Sequence, residues 1–205
     1  MGLYSVIKKI FTPVFKKLYR VEFCGAENEP ADGPFLICPN HLSDMDVFVI
    51  AACMKHHIRY CAKAELFKVP LVKQFVSAMG AFPIKRGAAD VSAIKTTLRL
   101  LSEGECVGIY PQGTRHQGED PRETEVKAGA GMIAYRSKVT VLPVCIQMKK
   151  FRMRLFRKTR VTFGKPIPYE EFGFDKGTKS EFEDAAKLIF DRVTDMLIPD
   201  GDMIK

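Results

Sequence analysis

Residues 35–50, FLICPNHLSDMDVFVI, join a short apolar run, a polar turn and a second apolar run. Phe35–Cys38 has the length and composition of a buried strand. Ser43 and Asp46 have the spacing of a helix capping box, and we expect a helix over Asp44–Met54. A strand that leads through a polar turn into a helix is the repeating unit of an α/β domain.

The same alternation continues along most of the chain. Further strands are predicted at Val21–Cys24, Ile58–Ala62, Ala81–Ile84, Cys106–Tyr110 and Val139–Ile146. Further helices are predicted at Leu66–Met79, Val91–Ser102, Lys127–Ser137 and Glu181–Leu197, the last with a capping box in Ser180 and Glu183. We therefore predict one layered α/β domain over residues 21–205, with a mixed, largely parallel sheet flanked by helices.

Residues 1–20 form an amphipathic helical segment ahead of this domain. Apolar residues recur at three- and four-residue steps: Leu3, Ile7, Ile10, Val14 and Leu18. Lys8, Lys9, Lys16 and Lys17 lie mostly on the other side. Pro13 predicts a kink or the start of a second short helix. The pattern fits a helix at a membrane interface, and it fits equally well a helix packed on the protein's own core.

The net charge of +8 fits an anionic partner, such as nucleic acid, a membrane surface, an acidic carrier protein or a phosphorylated substrate, and it fits equally well a charge that serves only solubility. The six cysteines form no Cys-x-x-Cys pair and lie mostly in apolar runs, which is typical of reduced thiols in a cytosolic protein and not of a zinc or disulfide site. No apolar run approaches the ~18 residues that span a bilayer, and no signal peptide is evident.

His41 and Asp46 could form a base and the carboxylate that orients it. In one regular helix two side chains five residues apart point about 140° away from each other. They can meet if His41 lies in the turn and Asp46 in the first helical turn. One Asp46 carboxylate would then have to serve either the helix cap or His41. The spacing alone is weak, and a plain helix start remains the alternative.

Two further turns carry groups that bind phosphate. Tyr110–Arg115 (YPQGTR) follows a predicted strand and offers Gly113 for close backbone approach, with Thr114 and Arg115 as donors. Gly80–Gly87 combines a predicted strand with Lys85 and Arg86, which lie in a turn that ends in glycine. Each could equally be an ordinary polar turn.

Two stretches need a separate interpretation. Gly129–Ala134 (GAGMIA) matches a dinucleotide fingerprint by letter but does not follow a strand, so we expect its glycines to permit close helix packing. Lys149–Arg160 (KKFRMRLFRKTR) is the densest cationic run and predicts a strand with one basic face. A lipid surface or an acidic carrier would suit it. No nucleic-acid module is recognisable, and a solvated hairpin is the alternative.

Taken in order, these blocks resemble the 1-acylglycerol-3-phosphate acyltransferase family. Residues 40–46 (NHLSDMD) look like its His-x4-Asp motif, and residues 80–86 resemble its second block, which ends in arginine. Residues 112–115 (QGTR) are similar to its Glu-Gly-Thr-Arg block, and residues 141–144 (VLPV) to its apolar proline strand. Ala62–Leu66 and Lys127–Gly129 also fit the spacing. The resemblance covers about residues 20–165.

The resemblance implies transfer of an acyl chain from coenzyme A or acyl carrier protein to the hydroxyl of a lysophospholipid, giving phosphatidic acid. His41 would be the general base and Asp46 its orienting carboxylate, with no enzyme nucleophile, metal or cofactor. Arg86, Gln112, Gly113, Thr114 and Arg115 would bind the substrate phosphate, and Lys63 would add a cation. The protein would be cytoplasmic and peripheral on the inner face of the membrane, with no nucleic-acid partner.

Gln112 stands where the family has glutamate, which removes a carboxylate from the expected phosphate site. Glutamine keeps an acceptor and gains donors, so phosphate binding could persist with a changed head-group preference. The alternative function is a lipid- or anion-binding protein of the same fold without transferase activity. The sequence leaves open the acyl donor, the chain length, the acceptor head group and the oligomeric state.

Overall fold

The computed structural model describes residues 3–84 and 91–203. Its helices are α1 (Leu3–Leu18), α2 (Asp46–Cys53), α3 (Pro70–Ala78), α4 (Val91–Ser102), α5 (Gly129–Ser137) and α6 (Lys179–Thr194). Its strands are β1 (Val21–Cys24), β2 (Phe35–Pro39), β3 (Ile58–Lys63), β4 (Ala81–Ile84), β5 (Cys106–Gly108), β6 (Thr140–Met148) and β7 (Thr159–Phe163).

The strands form one sheet in the order β1-β7-β6-β2-β5-β3-β4. The five strands from β6 to β4 run parallel to one another. β7 is antiparallel to β6, and β1 is parallel to β7. This confirms the predicted mixed, largely parallel sheet. The carboxyl ends of the five parallel strands therefore meet at one edge, together with the amino ends of β1 and β7.

Helices cover both faces of the sheet, as its alternating side chains require. Phe35 and Ile37 of β2 belong to a core layer that also contains α2 residues and Phe15 of α1. Leu36 and Cys38 belong to a second layer with residues of α4, α5 and α6. We call the two sides the α1–α2 face and the α4–α6 face. A central strand buried on both sides explains why Phe35–Cys38 is continuously apolar.

Most predicted elements are confirmed, with several corrections. The predicted helix Leu66–Met79 is a 3₁₀ turn, Ala64–Lys68, followed by α3, whose first residue is Pro70. Proline favours the first position of a helix and its ring disfavours helix at the preceding residue, so the helix starts there. The capping box of α6 is formed by Thr178 and Glu181, and not by Ser180 and Glu183.

The third correction concerns Lys149–Arg160, which is not a strand. A 3₁₀ turn at Lys149–Phe151 follows β6, and β7 begins only at Thr159. Lys150, Phe151 and Phe156 have positive φ angles of 54°, 49° and 61°. Left-handed backbone at these residues is incompatible with an extended strand. The segment 149–158 is instead an irregular loop, which we call the basic loop.

Of the two glycines in residues 129–131, Gly131 allows close helix packing as predicted, whereas a Cβ on Gly129 would meet no atom within 4 Å. A Cβ on Gly131 would lie 2.1 Å from the carbonyl oxygen of Phe182, so α5 can approach α6 only with glycine here. All six cysteines are unpaired, and Cys38, Cys106 and Cys145 are buried.

α1 is one helix that contains Pro13, so of the two predicted alternatives, a kink or a second short helix, the second helix does not form. Its Phe15 ring stacks on Phe48 of α2 with the centroids 5.7 Å apart. Val6, Ile10 and Val14 remain exposed. α1 therefore packs on the domain and still presents apolar side chains to the surroundings. Among the described helices, none is long and apolar enough to cross a membrane.

Candidate active site

The edge formed by the carboxyl ends of the parallel strands collects the residues that the sequence singles out. His41 follows β2, and the segment 112–115 follows β5. Lys63 is the last residue of β3, and the basic loop follows β6. β4 ends at Ile84, so Arg86 lies outside the described residues. Loops at this edge of an α/β sheet are the usual place for binding and catalytic groups.

His41 and Asp46 form the predicted pair. His41 Nδ1 lies 2.9 Å from Asp46 Oδ2. The Asp46 side chain is fully buried, whereas the His41 ring remains 13% exposed. A carboxylate accepts a hydrogen bond from a ring N–H, so the neutral ring carries its proton on Nδ1 and its lone pair on Nε2. The ring nitrogen that can take a proton is therefore Nε2.

The same Asp46 oxygen also holds the turn before α2. Oδ2 accepts hydrogen bonds from the backbone N–H of Leu42, at 2.7 Å, and of Ser43, at 2.8 Å. The expectation that this carboxylate must choose between the cap and His41 is therefore wrong. Ser43 Oγ accepts from the N–H of Met45 at 3.2 Å, and the helix starts at Asp46, two residues later than predicted. Asp46 Oδ1 is buried without a hydrogen-bond partner among the described residues.

Gln112 lies beneath the site, with an exposure of 1%. Its Oε1 accepts the backbone N–H of His41 at 2.7 Å, and its Nε2 donates to Thr124 Oγ1 at 2.7 Å. Thr124 Oγ1 in turn donates to the carbonyl of Pro121. This differs from the phosphate contact that the sequence predicts, because both ends of the amide are used within the protein. Gln112 positions the backbone that carries His41.

Gly113, Thr114 and Arg115 are exposed beyond Gln112. Gly113 has a φ of 69°, which glycine adopts without strain. A Cβ here would lie 3.0 Å from Cδ of Lys127, so this lysine runs alongside the turn. Arg115 forms an ion pair with Asp44, which joins the β5 loop to the β2 loop. The turn thus combines open backbone, a hydroxyl and two cations, all suited to an anion.

The backbone of His41 is tied to the β5 loop on both sides. Its N–H donates to Gln112, and its carbonyl accepts from the N–H of His116 at 2.9 Å. The ring of Tyr110 stacks on the imidazole with a centroid distance of 3.8 Å and an interplanar angle of 17°. Burial raises the pKa of Tyr110 well above its ordinary value, so the phenol stays protonated. The position of the imidazole is therefore fixed by the ring stacking on Tyr110, by the contact of Nδ1 with Asp46 and by the backbone hydrogen bonds of His41.

Two contributions to this site are not evident from the sequence. Asn40, fully buried, donates through Nδ2 to the carbonyl of Ile146 and accepts through Oδ1 from its N–H. Tyr110 ends a predicted strand and gives no separate signal of contact with His41. Asn40 anchors the end of β2 to β6, which fixes the point where the His41 turn begins.

A second histidine–carboxylate pair shows that such a pair is not by itself a site. His56 Nδ1 lies 2.7 Å from Glu29 Oε1, and the Glu29 carboxylate also accepts the backbone N–H groups of Lys55 and His56. Glu29 precedes β2 and His56 precedes β3, so this pair lies at the opposite edge of the sheet. The position of His41 at the carboxyl edge, next to an exposed cationic turn, distinguishes it.

Comparisons with known proteins identify relatives of this chain. A family model described as Acyltransferase matches residues 20–147. The chain is 35% identical over 155 residues to 1-acyl-sn-glycerol-3-phosphate acyltransferase of Bacillus subtilis. This alignment covers 74% of this chain and 76% of that protein. The chain is 31% identical over 128 residues to the protein of the same name from Borreliella burgdorferi, which covers 60% of this chain and 49% of that one.

The fold also has a counterpart among solved structures. The crystal structure of the 1-acyl-sn-glycerophosphate acyltransferase PlsC from Thermotoga maritima matches with a TM-score of 0.67, over 97% of this chain and 85% of that one. The sequence identity in this match is 22%. The architecture of sheet and flanking helices is therefore shared across a large divergence in sequence.

Proposed function

Because the chain belongs to the acyltransferase family, we propose that it transfers a fatty acyl chain from an acyl thioester to the free hydroxyl of 1-acylglycerol-3-phosphate, giving phosphatidic acid. The single observation that carries the proposal is the His41 ring, oriented by a buried carboxylate and partly exposed beside a cationic turn. The named relatives act on this acceptor according to their names.

The proposed reaction uses His41 as a general base. Nε2 takes the proton of the acceptor hydroxyl as its oxygen attacks the thioester carbonyl carbon. The tetrahedral intermediate then collapses, the carbon–sulfur bond breaks, and the imidazolium returns the proton to the leaving thiolate. The Asp46 carboxylate on Nδ1 favours the positive charge that the ring carries between these steps. A thioester is already activated, so the protein needs no nucleophile of its own.

The acceptor phosphate is proposed to bind at the turn 113–115. The backbone of Gly113, the hydroxyl of Thr114 and the guanidinium of Arg115 form an exposed donor group next to Lys127. Its neighbours along the same edge are Lys63 and the end of β4, which leads towards Arg86. Lys63 and Arg86 remain proposed phosphate contacts on the family resemblance. An anion at this turn would lie next to the loop that carries His41.

The proposed place of the reaction is the cytoplasmic face of a membrane, where the lysophospholipid acceptor resides. The exposed apolar residues of α1 and its lysines support contact with a lipid surface. Acyl-coenzyme A and acyl carrier protein are both retained as possible donors.

The test of the proposed function is a matrix of donors and acceptors. Purified protein is supplied with labelled acyl-coenzyme A or acyl carrier protein and with several lysophospholipids in vesicles, and a His41→Ala preparation serves as the blank. We expect transfer to 1-acylglycerol-3-phosphate above the blank. Absence of transfer to any acceptor from either donor would favour the alternative, a non-catalytic lipid- or anion-binding protein.

Gln112→Leu should lower kcat by about 10- to 100-fold, because it leaves the N–H of His41 without its buried acceptor and loosens the position of the ring. Gln112→Glu should stay within about threefold of the wild type, since a carboxylate can accept both from His41 and from the Thr124 hydroxyl. The measurement is kcat and KM for both substrates, together with the thermal unfolding midpoint.

Gln147→Leu is the matched control for this pair. Gln147 is also buried, and its amide bonds both backbone groups of Ile198 instead of the backbone of His41. We expect this variant to lose stability without a change in kcat. Equal kcat values for Gln112→Leu and Gln147→Leu would show that Gln112 has only a structural role.

A further inference from the structure

The large hydrophobic side chains that are exposed are not scattered over the described surface. Three lie on α1 (Val6, Ile10 and Val14), three at the start of α3 and the turn before it (Leu66, Val69 and Leu71), and two in the basic loop (Leu155 and Phe156). Leu71 and Phe156 are 80% and 66% exposed. Clusters of this kind usually mark an interaction surface.

All three segments belong to the α1–α2 face. Phe48 of α2 stacks with Phe15 of α1 and, at 5.9 Å, with Phe75 of α3, so the three helices lie side by side. Phe151 and Met153 of the basic loop pack into the same core layer. By contrast, α4, α5 and α6 contribute none of the large exposed hydrophobic residues found in the described chain. The molecule therefore has one apolar side.

The basic loop lies against both α1 and the proposed active site. The N–H of Phe156 donates to the carbonyl of Leu18 at the end of α1. The N–H of Gly118 donates to the carbonyl of Phe151 at 2.9 Å, only two residues after His116, which bonds His41. The basic loop therefore extends the α1 surface towards His41.

The charge of the basic loop is largely uncompensated. Lys149, Lys150, Arg152, Arg154 and Arg157 line a surface cavity of about 310 Å³. None of the five takes part in an ion pair with a residue of 3–84 or 91–203. The basic loop therefore presents these five cations around two exposed apolar side chains, Leu155 and Phe156. An anionic phospholipid bilayer is complementary to this arrangement, because its head groups are anionic and its interior is apolar.

We propose that the basic loop is a membrane-docking element: Leu155 and Phe156 enter the lipid, and the five cations contact anionic head groups. With α1 and the start of α3 it gives three points of attachment on one side of the protein. The proposed docking role rests on the proposed function only because a lysophospholipid acceptor would require the enzyme to bind a lipid surface. A cation cluster for the phosphates of the thioester donor would not require exposed Leu155 and Phe156, so the bilayer is favoured.

The test measures sedimentation with vesicles in the absence of substrate, so that it does not depend on activity. The vesicles are phosphatidylcholine alone or with about one third phosphatidylglycerol, at two salt concentrations. Leu155→Ser with Phe156→Ser should weaken binding by at least about tenfold. Arg152→Gln, Arg154→Gln and Arg157→Gln together should weaken binding to anionic vesicles by roughly 100-fold and flatten its salt dependence.

The matched control removes three cations from the other side. Lys179→Gln, Lys187→Gln and Arg192→Gln change the net charge equally on exposed α6 positions. We expect vesicle binding within about twofold of the wild type, since these residues face away from the bilayer. Weakening as large as that of the basic-loop triple variant would show a non-specific charge effect and overturn the proposal.

Further outcomes separate the other possible occupants. The proposal is overturned if the basic-loop variants bind vesicles normally, whether or not they raise KM for the thioester or lose binding to acyl carrier protein. It is also overturned if they lose turnover of a short-chain, detergent-soluble acceptor together with vesicle binding. Vesicle binding with the expected variant pattern in a protein that transfers no acyl group would support the docking element and reject the proposed function.

Discussion

His41→Ala should reduce acyl transfer by about three orders of magnitude or more, because it removes the group that we propose takes the hydroxyl proton through Nε2. The fold should persist. The ring stacks on Tyr110 and bonds Asp46, but the backbone bonds of His41 to Gln112 and His116 do not need the side chain. The measurement is the initial rate with a labelled thioester and 1-acylglycerol-3-phosphate, with circular dichroism as the check on folding.

His56→Ala is the control for this experiment. His56 is also paired through Nδ1 with a buried carboxylate, but at the opposite edge of the sheet. The His56→Ala variant should be less stable than the wild type, and its turnover number should stay within about twofold of the wild-type value. Near-normal turnover in folded His41→Ala would reject the general-base mechanism.

Asp46→Asn should lower kcat by about three to four orders of magnitude. The amide has no negative charge to stabilise the imidazolium, because its oxygen can take the place of Oδ2 and accept from Nδ1 but remains neutral. The remaining carbonyl oxygen can still accept from the N–H groups of Leu42 and Ser43, which keeps the start of α2. The loss should therefore fall on kcat more than on stability.

Glu29→Gln makes the same chemical change in the histidine–carboxylate pair formed with His56. Glu29 accepts backbone N–H groups just as Asp46 does, so the two variants should lose comparable stability. Only Asp46→Asn should lose activity. The comparison uses thermal unfolding midpoints and kcat measured on the same preparations. If Asp46→Asn kept its kcat, the carboxylate would act only as a helix cap.

Local patterns predict most of this fold. The helix and strand periodicities identify β1, β4 and α4 with their exact limits, and the meeting of His41 with Asp46 follows from a turn placed before a helix. Both depend on residues within a few positions of each other. The sequence analysis is least accurate where several choices satisfy the same local rule: Thr178/Glu181 and Ser180/Glu183 both match a capping box, and the structure contains the first.

The remaining features depend on contacts between distant residues. Gln112 bonds His41 across 71 positions, and Asn40 bonds Ile146 across 106, so no local spacing indicates either role. The basic loop alternates apolar and charged residues as a strand does. It is bent because Phe151 and Met153 pack into the core while Leu18 and Gly118 bond its backbone. Alternation of apolar and charged residues therefore does not by itself show whether a segment pairs with another strand.

The two backbone bonds of His41 have a consequence for how the protein loses function on heating. The N–H and carbonyl of His41 both form hydrogen bonds with the β5 loop. The side chain of Asn40, the residue before His41, bonds the backbone of β6. His41 thus belongs to the cooperative unit formed by the central strands, and not to a loop that opens separately. Amide exchange at His41 and His116 should be slow and matched, and heat inactivation should coincide with melting of the sheet instead of preceding it.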